Sequence, residues 1–244
     1  MKNRIPDGHW LITRAVAHRG LHGINVPENS RLAFIKAIDG NYPIETDVQL
    51  TSDLVPVCFH DDDLGRMTGV NSRIWDVSFE ELRKLKLGES DEIIPTFEEF
   101  LKLVDGKVPL LIEIKSQPNN KEVCKKVIEL LEGYKGEFAI QSFDPRVMGE
   151  IKKLKPDVLR GQLIDRDRHK GFSWIVDKLL AHGLLNFMSK PDFINMSHKY
   201  LPVSKRLSSG KKVLCWTVQN EEIEQKALAY AQGYVFENIE PKLK

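Results

Sequence analysis

The chain has 244 residues, 41% of them hydrophobic and 29% charged, with 36 Lys and Arg against 35 Asp and Glu for a net charge of +1. This composition is that of a globular protein, long enough for one α/β barrel or one large sandwich, and it excludes a disordered chain. The near-balance of charge argues against a nucleic-acid or anionic-membrane partner, and no apolar run is long enough for stable membrane insertion.

In chain order, the opening MKNRIPDGHWLITRAVAHRG carries only a short apolar run before charge returns, so it reads poorly as a signal peptide. The run near 11–17 predicts a first strand. Strand-length apolar runs follow at 44–50, 55–59, 108–114, 138–142, 159–164, 192–197, 213–218 and 234–238. Helical patterns lie between most of them. Val123, Val127, Leu130 and Leu131 share a face before Gly133, and Ile223, Ala227, Leu228 and Ala231 repeat the pattern before Gly233. Ser78-x-x-Glu81 and Thr96-x-x-Glu99 read as capping boxes.

Strand alternating with helix implies a parallel sheet. With 55–59 as a hairpin partner of the strand before it, about eight main strands remain, the count of a (β/α)8 TIM barrel. A doubly wound open sheet is the alternative, but no GxGxxG follows the first strand. The stretch 61–107 exceeds an ordinary barrel connection and reads as an insertion with two short helices near the mouth of a single domain spanning 1–244. Cys58, Cys124 and Cys215 lack metal-ligand spacing; Cys58 and Cys215 read as reduced core thiols, which fits a cytoplasmic location.

Side chains two apart on a strand face the same way, so Glu45 and Asp47 project together, as do Glu113 and Lys115. Carboxylates on an otherwise apolar strand are costly to bury unless a cation or proton compensates. Both pairs fall at strand C-termini, where barrels of this kind carry their sites. Three carboxylates converging there would suit one divalent cation such as Mg2+ or Ca2+; taken singly, each pair could equally be a strand-end salt bridge, for example Glu113 with Arg19. His18 and His60 also end strands and suit a general acid and base, while Arg19 and Lys115 supply fixed positive charge for an anionic transition state.

Read together, these residues resemble the glycerophosphodiester phosphodiesterase family, bacterial cytosolic type. The resemblance rests on His18-Arg19-Gly20, Pro27-Glu28-Asn29-Ser30, Glu45-x-Asp47-Val48 and His60-Asp61 followed by Leu64-x-Arg66-x-Thr68-Gly69. It continues through Ile94-Pro95-Thr96, Ile112-Glu113-Ile114-Lys115, Gln141-Ser142-Phe143 and Trp216-Thr217-Val218, so it spans the chain. It implies a barrel with a small insertion that hydrolyses a small-molecule glycerophosphodiester to glycerol 3-phosphate and an alcohol. By that resemblance Glu45, Asp47 and Glu113 bind the divalent cation, His18 and His60 are the acid–base pair, and Arg19 and Lys115 hold phosphate oxygens. Phe143 and Trp216 would give the glycerol an apolar wall. Asn29 reads more simply as a helix N-cap, and Pro27 and Glu28 have no assigned role.

The resemblance also implies either attack by the neighbouring glycerol hydroxyl through a cyclic phosphate or direct attack by water, and the residues do not choose between them. Two departures stand out. Ser52-Asp53-Leu54 replaces the family's Asp-Gly turn, and Phe236-Glu237-Asn238-Ile239-Glu240-Pro241 replaces its Thr-Asp-x-Pro type ending. A lysophospholipase D-type enzyme on the same barrel would need an apolar entrance, but the insertion is mostly charged, with Trp75 and Phe79 as its aromatics. A non-catalytic binding barrel would have lost a carboxylate or histidine of the set, and none is missing.

Overall fold

The computed structural model describes residues 4–165 and 182–243, so His169, expected to be a surface or structural histidine, lies outside the described residues. The chain divides into two compact units, one of residues 17–138 and the other of the N-terminal segment through Val16 together with 139–244. Within 17–138, strand β2 (Ile44–Leu50) pairs antiparallel with β3 (Pro56–Cys58) and parallel with β4 (Leu110–Ile114), and in the other unit parallel pairs run from β5 (Phe138–Ser142) through β6 (Leu159–Ile164), β7 (Phe193–Ser197) and β8 (Lys212–Val218) to β9 (Gly233–Phe236). The alternation of parallel strands with helices in both units is that of the expected (β/α)8 barrel, with β3 added to β2 as an extra, antiparallel strand.

The run 11–17 is not one strand. It opens as a short helix, α1 (Trp10–Thr13), because His9 Nδ1 accepts the Leu11 N–H and caps it, and only Val16–Ala17 remains as β1. In the unit 17–138, α2 (Arg31–Asp39) starts behind Ser30, whose hydroxyl accepts the Ala33 N–H. Strand β2 (Ile44–Leu50) is buried along its whole length, and β3 (Pro56–Cys58) returns on it as the expected hairpin partner. The turn between them puts Leu54 at φ 62°, a left-handed position where a glycine would be unstrained.

The stretch 61–107 holds more helix than expected: α3 (Gly65–Thr68), a 3-10 turn (Ile74–Asp76), α4 (Phe79–Leu82) and α5 (Phe97–Val104). Both predicted capping boxes are formed, at the starts of α4 and α5. Leu64, Ile74, Leu82 and Leu87 are fully buried against Val57 and Phe59, each stabilising the fold by roughly 1.5–3 kcal/mol. Helix α5 packs on α2 through Phe34 and Phe100, with ring centroids 4.4 Å apart. Strand β4 (Leu110–Ile114) then pairs parallel with β2, and α6 (Asn120–Leu131) follows, burying Val123, Cys124, Val127, Ile128 and Leu131.

In the other unit, strands β5 (Phe138–Ser142), β6 (Leu159–Ile164), β7 (Phe193–Ser197), β8 (Lys212–Val218) and β9 (Gly233–Phe236) run parallel. Helix α7 (Pro145–Leu154) follows β5, and α8 (Asn186–Ser189) and α9 (Lys205–Ser208) precede β7 and β8. Helix α10 (Glu221–Tyr230) departs from the expected pattern. Leu228 is exposed, and the buried positions are Ala227 and Glu224, because the Tyr234 hydroxyl and the Lys242 N–H supply partners for a carboxylate there.

Candidate functional site

The parallel register of β2 and β4 sets Asp47 directly beside Glu113, with Glu45 one residue pair earlier on the same face. All three carboxylates are buried, and each offers an oxygen within 4.8 Å of the other two. Burial, reinforced by the charges of Asp47 and Glu113, pushes the Glu45 carboxyl well above its ordinary range. Burial acts on Asp47 in the same sense, yet the charges of His60, Lys115 and Arg19 and a hydrogen bond from Asn29 hold it below the usual carboxylate range. This is a site in need of positive charge. An all-oxygen, acidic donor set of this kind fits one hard divalent cation better than a soft metal.

Two cations of the chain already border it. Lys115 Nζ lies 2.9 Å from Glu113 and 3.5 Å from Asp47. Burial opposes its charge, but those two carboxylates outweigh burial and keep it an ammonium. Arg19 Nε lies 3.4 Å from Asp47, and its backbone N–H donates to Glu45 Oε2 at 2.9 Å. That second contact depends on the turn after β1, where Arg19 (φ 51°) and Gly20 (φ 77°) are both left-handed. A Cβ on Gly20 would meet the Ala33 backbone at 2.8 Å, so only glycine fits. A non-glycine residue held at positive φ is a recurrent mark of a functional turn.

Asn29 is not the helix cap; Ser30 is. Asn29 is instead buried, donating from Nδ2 to Asp47 Oδ2 at 3.0 Å and accepting the Thr46 hydroxyl at 2.7 Å. It fixes the carboxylate it touches. Sequence reasoning missed this because two neighbouring residues could each cap α2, and the more ordinary role went to the wrong one. Gln49 was also missed: its amide donates to the carbonyls of Phe59 and Asp61 at 2.9 and 2.8 Å, bracketing His60. Gln117 clamps the end of β2 by accepting the Leu50 N–H at 2.7 Å and donating to its carbonyl at 3.1 Å. No motif reading could have found either, because glutamines that tie backbone have no characteristic spacing.

His60 follows β3, and its Nδ1 lies 2.7 Å from Asp61 Oδ1. Burial raises the Asp61 carboxyl, but bonds to His60 and Arg66 overcome it and keep the group ionised. An ionised carboxylate only accepts, so Nδ1 carries a hydrogen, and in the neutral ring Nε2 is the nitrogen left to take a proton. His18 immediately precedes Arg19 and is half-buried, with the His22 ring 6.2 Å away. Glu28, left without a role by the sequence, accepts from Arg19 Nη1 at 2.7 Å and from both terminal nitrogens of Arg66 at 2.6 and 3.0 Å. Seven of the nine expected residues therefore lie in the unit 17–138. Phe143 and Trp216 lie in the other unit, packed edge to face with centroids 5.6 Å apart, and the Trp216 indole N–H donates to the Asn195 carbonyl.

The family model for the glycerophosphoryl diester phosphodiesterase family matches residues 18–236. A glycerophosphodiester phosphodiesterase of Caldanaerobacter subterraneus is 32% identical over 93% of this chain and 95% of its own length. Human glycerophosphodiester phosphodiesterase 1 is 25% identical over 84% of this chain and 71% of its own. An Oleispira antarctica phosphodiesterase, solved in complex with the product sn-glycerol-3-phosphate, superposes with a TM-score of 0.76 at 25% identity, covering 93% of both chains.

Proposed function

The chain belongs to the glycerophosphoryl diester phosphodiesterase family and is a phosphodiesterase, and from that premise we propose that it hydrolyses small glycerophosphodiesters to sn-glycerol 3-phosphate and an alcohol with the help of one divalent cation, Mg2+ or Ca2+. The observation that carries the reading is the buried set of Glu45, Asp47 and Glu113 bordered by Arg19 and Lys115. Glu45, Asp47 and Glu113 would hold the cation, which when bound supplies charge stabilisation to a phosphoryl oxygen. Arg19 and Lys115 orient the phosphate and stabilise its developing charge, at little reorganisation because both are already fixed by carboxylates.

His60 and His18 form the acid–base pair. One takes the proton of the attacking nucleophile, the neighbouring glycerol hydroxyl or water, and the other gives a proton to the departing alcohol; each such transfer contributes roughly 10²–10⁴-fold in rate. The orientation of His60 by Asp61 favours its Nε2 for this transfer. Phe143 and Trp216 are assigned to the apolar side of the glycerol. The buried free thiols Cys58, Cys124 and Cys215 suit a reducing compartment, and the reading places the enzyme in the cytoplasm. Among the described residues, no helix is long and apolar enough to cross a membrane.

The test is release of glycerol 3-phosphate from glycerophosphocholine and glycerophosphoethanolamine by the purified protein, with Mg2+, with Ca2+ and with chelator, beside His18→Ala. Metal-dependent release lost in the variant supports the assignment. A folded protein that releases nothing from either diester under any metal overturns it.

A further inference from the structure

Glu28 and Arg66 are charged groups beside the site for which the acid–base and cation roles leave no use. Their geometry is specific. The Arg66 guanidinium donates through Nε to Asp61 Oδ2 at 2.6 Å and through Nη1 and Nη2 to both oxygens of Glu28 at 3.0 and 2.6 Å. Asp61 in turn holds His60 Nδ1 at 2.7 Å, and Glu28 Oε1 holds Arg19 Nη1 at 2.7 Å. An unbroken chain of charge-assisted bonds therefore runs His60–Asp61–Arg66–Glu28–Arg19, from a proton-transfer group to a phosphate-binding group. Its centre is a planar fork that grips both oxygens of Glu28 through its terminal nitrogens while Nε holds Asp61, a fixed geometry that the point charge of an ammonium does not reproduce.

A stability role explains this poorly. The Arg66 side chain is 48% exposed, and exposed ion pairs stabilise a fold by only about 0–1 kcal/mol. The side chains it orders are less exposed: Glu28 at 13%, Asp61 at 20% and Arg19 at 15%. Arg66 also sits on α3, the first helix of the insertion, so its guanidinium ties that helix to Asp61, at the start of the insertion, and to Glu28 outside it. We propose that Glu28 and Arg66 are positioning residues that act as one clamp, with Arg66 fixing the Asp61–His60 dyad and Glu28 fixing the heading of the Arg19 guanidinium. The assignment rests on the phosphodiesterase reading of the site. It gives the insertion a function: it closes a bond network that lines up the base and the anion-binding group together.

The experiment compares Arg66→Met, Arg66→Lys, Glu28→Gln and the Arg66→Met/Glu28→Gln double variant with the wild-type chain, each with Mg2+ and glycerophosphocholine. Arg66→Met should lower kcat by about 10–100-fold with KM nearly unchanged, the range usual for groups that orient a catalytic ligand. Arg66→Lys should behave like Arg66→Met, since a single ammonium cannot reproduce the bidentate grip on Glu28 together with the Nε bond to Asp61. Glu28→Gln should raise KM as well, because Arg19 loses its anchor. The double variant should fall little below Glu28→Gln alone, since both act on one chain of bonds. A readout independent of turnover is the ¹⁵N shift of the His60 ring: Nδ1–H in the wild type, and a mixture of tautomers in Arg66→Met. Single variants within twofold of wild type in kcat and KM, or full rate in Arg66→Lys, would overturn the clamp. A wild-type chain that hydrolyses no glycerophosphodiester but shows the tautomer change on Arg66→Met would sink the functional reading and leave the clamp standing. If Arg66→Met does not fold, Arg66→Lys with the same ring measurement decides the matter.

Discussion

Both compact units bury carboxylates, and they do so in opposite ways. In the unit 17–138, Glu45, Asp47 and Glu113 crowd within 4.8 Å, so like charges face one another and two flanking cations are shared among them. In the other unit, Glu224 on α10 is just as buried, but it is a lone carboxylate fully provided for. It accepts the Tyr234 hydroxyl at 2.5 Å and the Lys242 N–H at 2.7 Å, with Lys242 Nζ 3.9 Å away. Burying an ion is tolerable when its bonds are satisfied and costly when they are not. The satisfied carboxylate is a structural tie between α10, β9 and the 242–243 backbone. The crowded ones hold unspent electrostatic strain that a divalent cation would relieve.

The largest effect should come from removing one crowded carboxylate. Glu45→Ala is expected to cost about 10³-fold or more in kcat, as chelation should in the wild type, because charge stabilisation at the phosphoryl group is worth several kcal/mol. The same position makes a sharper prediction about stability. The folded-state pKa of Glu45 lies above its unfolded value, so its contribution to stability is present below the unfolded pKa and is lost as pH rises through the folded one. With chelator present, Glu45→Gln should therefore be at least as stable as wild type near pH 7 and lose its advantage on acidification. Mg2+ or Ca2+ should raise the melting temperature of the wild type and not of Glu45→Gln. Melts at several pH values, with and without metal, check this; a chelated Glu45→Gln protein less stable than wild type at pH 7 would remove the contrast on which the comparison stands.

Next in size is Asn29→Ala. It deletes the bond that holds Asp47 Oδ2 and leaves the Thr46 hydroxyl without its acceptor. Loss of an orienting partner of a metal ligand usually costs 10–100-fold in metal affinity or activity. A titration of rate against Mg2+ should show the curve displaced to higher metal. An Asn29→Ala protein with an unmoved metal curve would make Asn29 a packing residue only.

The contrast also explains what was legible in the sequence. The triad could be read because period-two alternation on β2 and β4 forces Glu45 with Asp47, and Glu113 with Lys115, onto one face, and carboxylates on an apolar strand need a reason. The hairpin partner Pro56–Cys58 and both capping boxes were equally local and equally readable. What could not be read depended on contacts made far along the chain. Glu28 and Arg66 are 38 residues apart, and nothing in their spacing announces a fork. Asn29 lost its expected capping role to Ser30 because tertiary contact with Asp47 was worth more to it. Leu228 was expected to be buried by periodicity, and it is exposed because Glu224, with partners from Tyr234 on β9 and the Lys242 N–H, took the inward position. The run 11–17 misled for a simpler reason, since a short apolar stretch carries no period to tell helix from strand and His9 supplied a cap.

The smallest effects test the satisfied carboxylate. Glu224→Gln keeps an oxygen acceptor but gives up two charge-assisted bonds, so it should lower stability by about 1–2 kcal/mol, opposite in sign to Glu45→Gln, with kcat unchanged. Tyr234→Phe should cost about 1 kcal/mol, a fall of roughly 2–4 °C in melting temperature for a chain of this size. It removes the donor to Glu224 and the acceptor of the Leu243 N–H at 3.2 Å. The sign of its pH dependence follows from the same logic. Burial, and then the bond to Glu224, raise the folded pKa of Tyr234 above that of a free tyrosine. The hydroxyl's contribution is thus fully present below about pH 10, the unfolded value, and fades as pH climbs towards the folded one. The wild type should hold its small advantage over Tyr234→Phe from neutral pH up to about 10 and lose it only in stronger alkali. An advantage that vanished already near pH 8 would mean that Glu224 is not held by this hydroxyl, and the buried carboxylate of the second unit would then be as strained as those of the first.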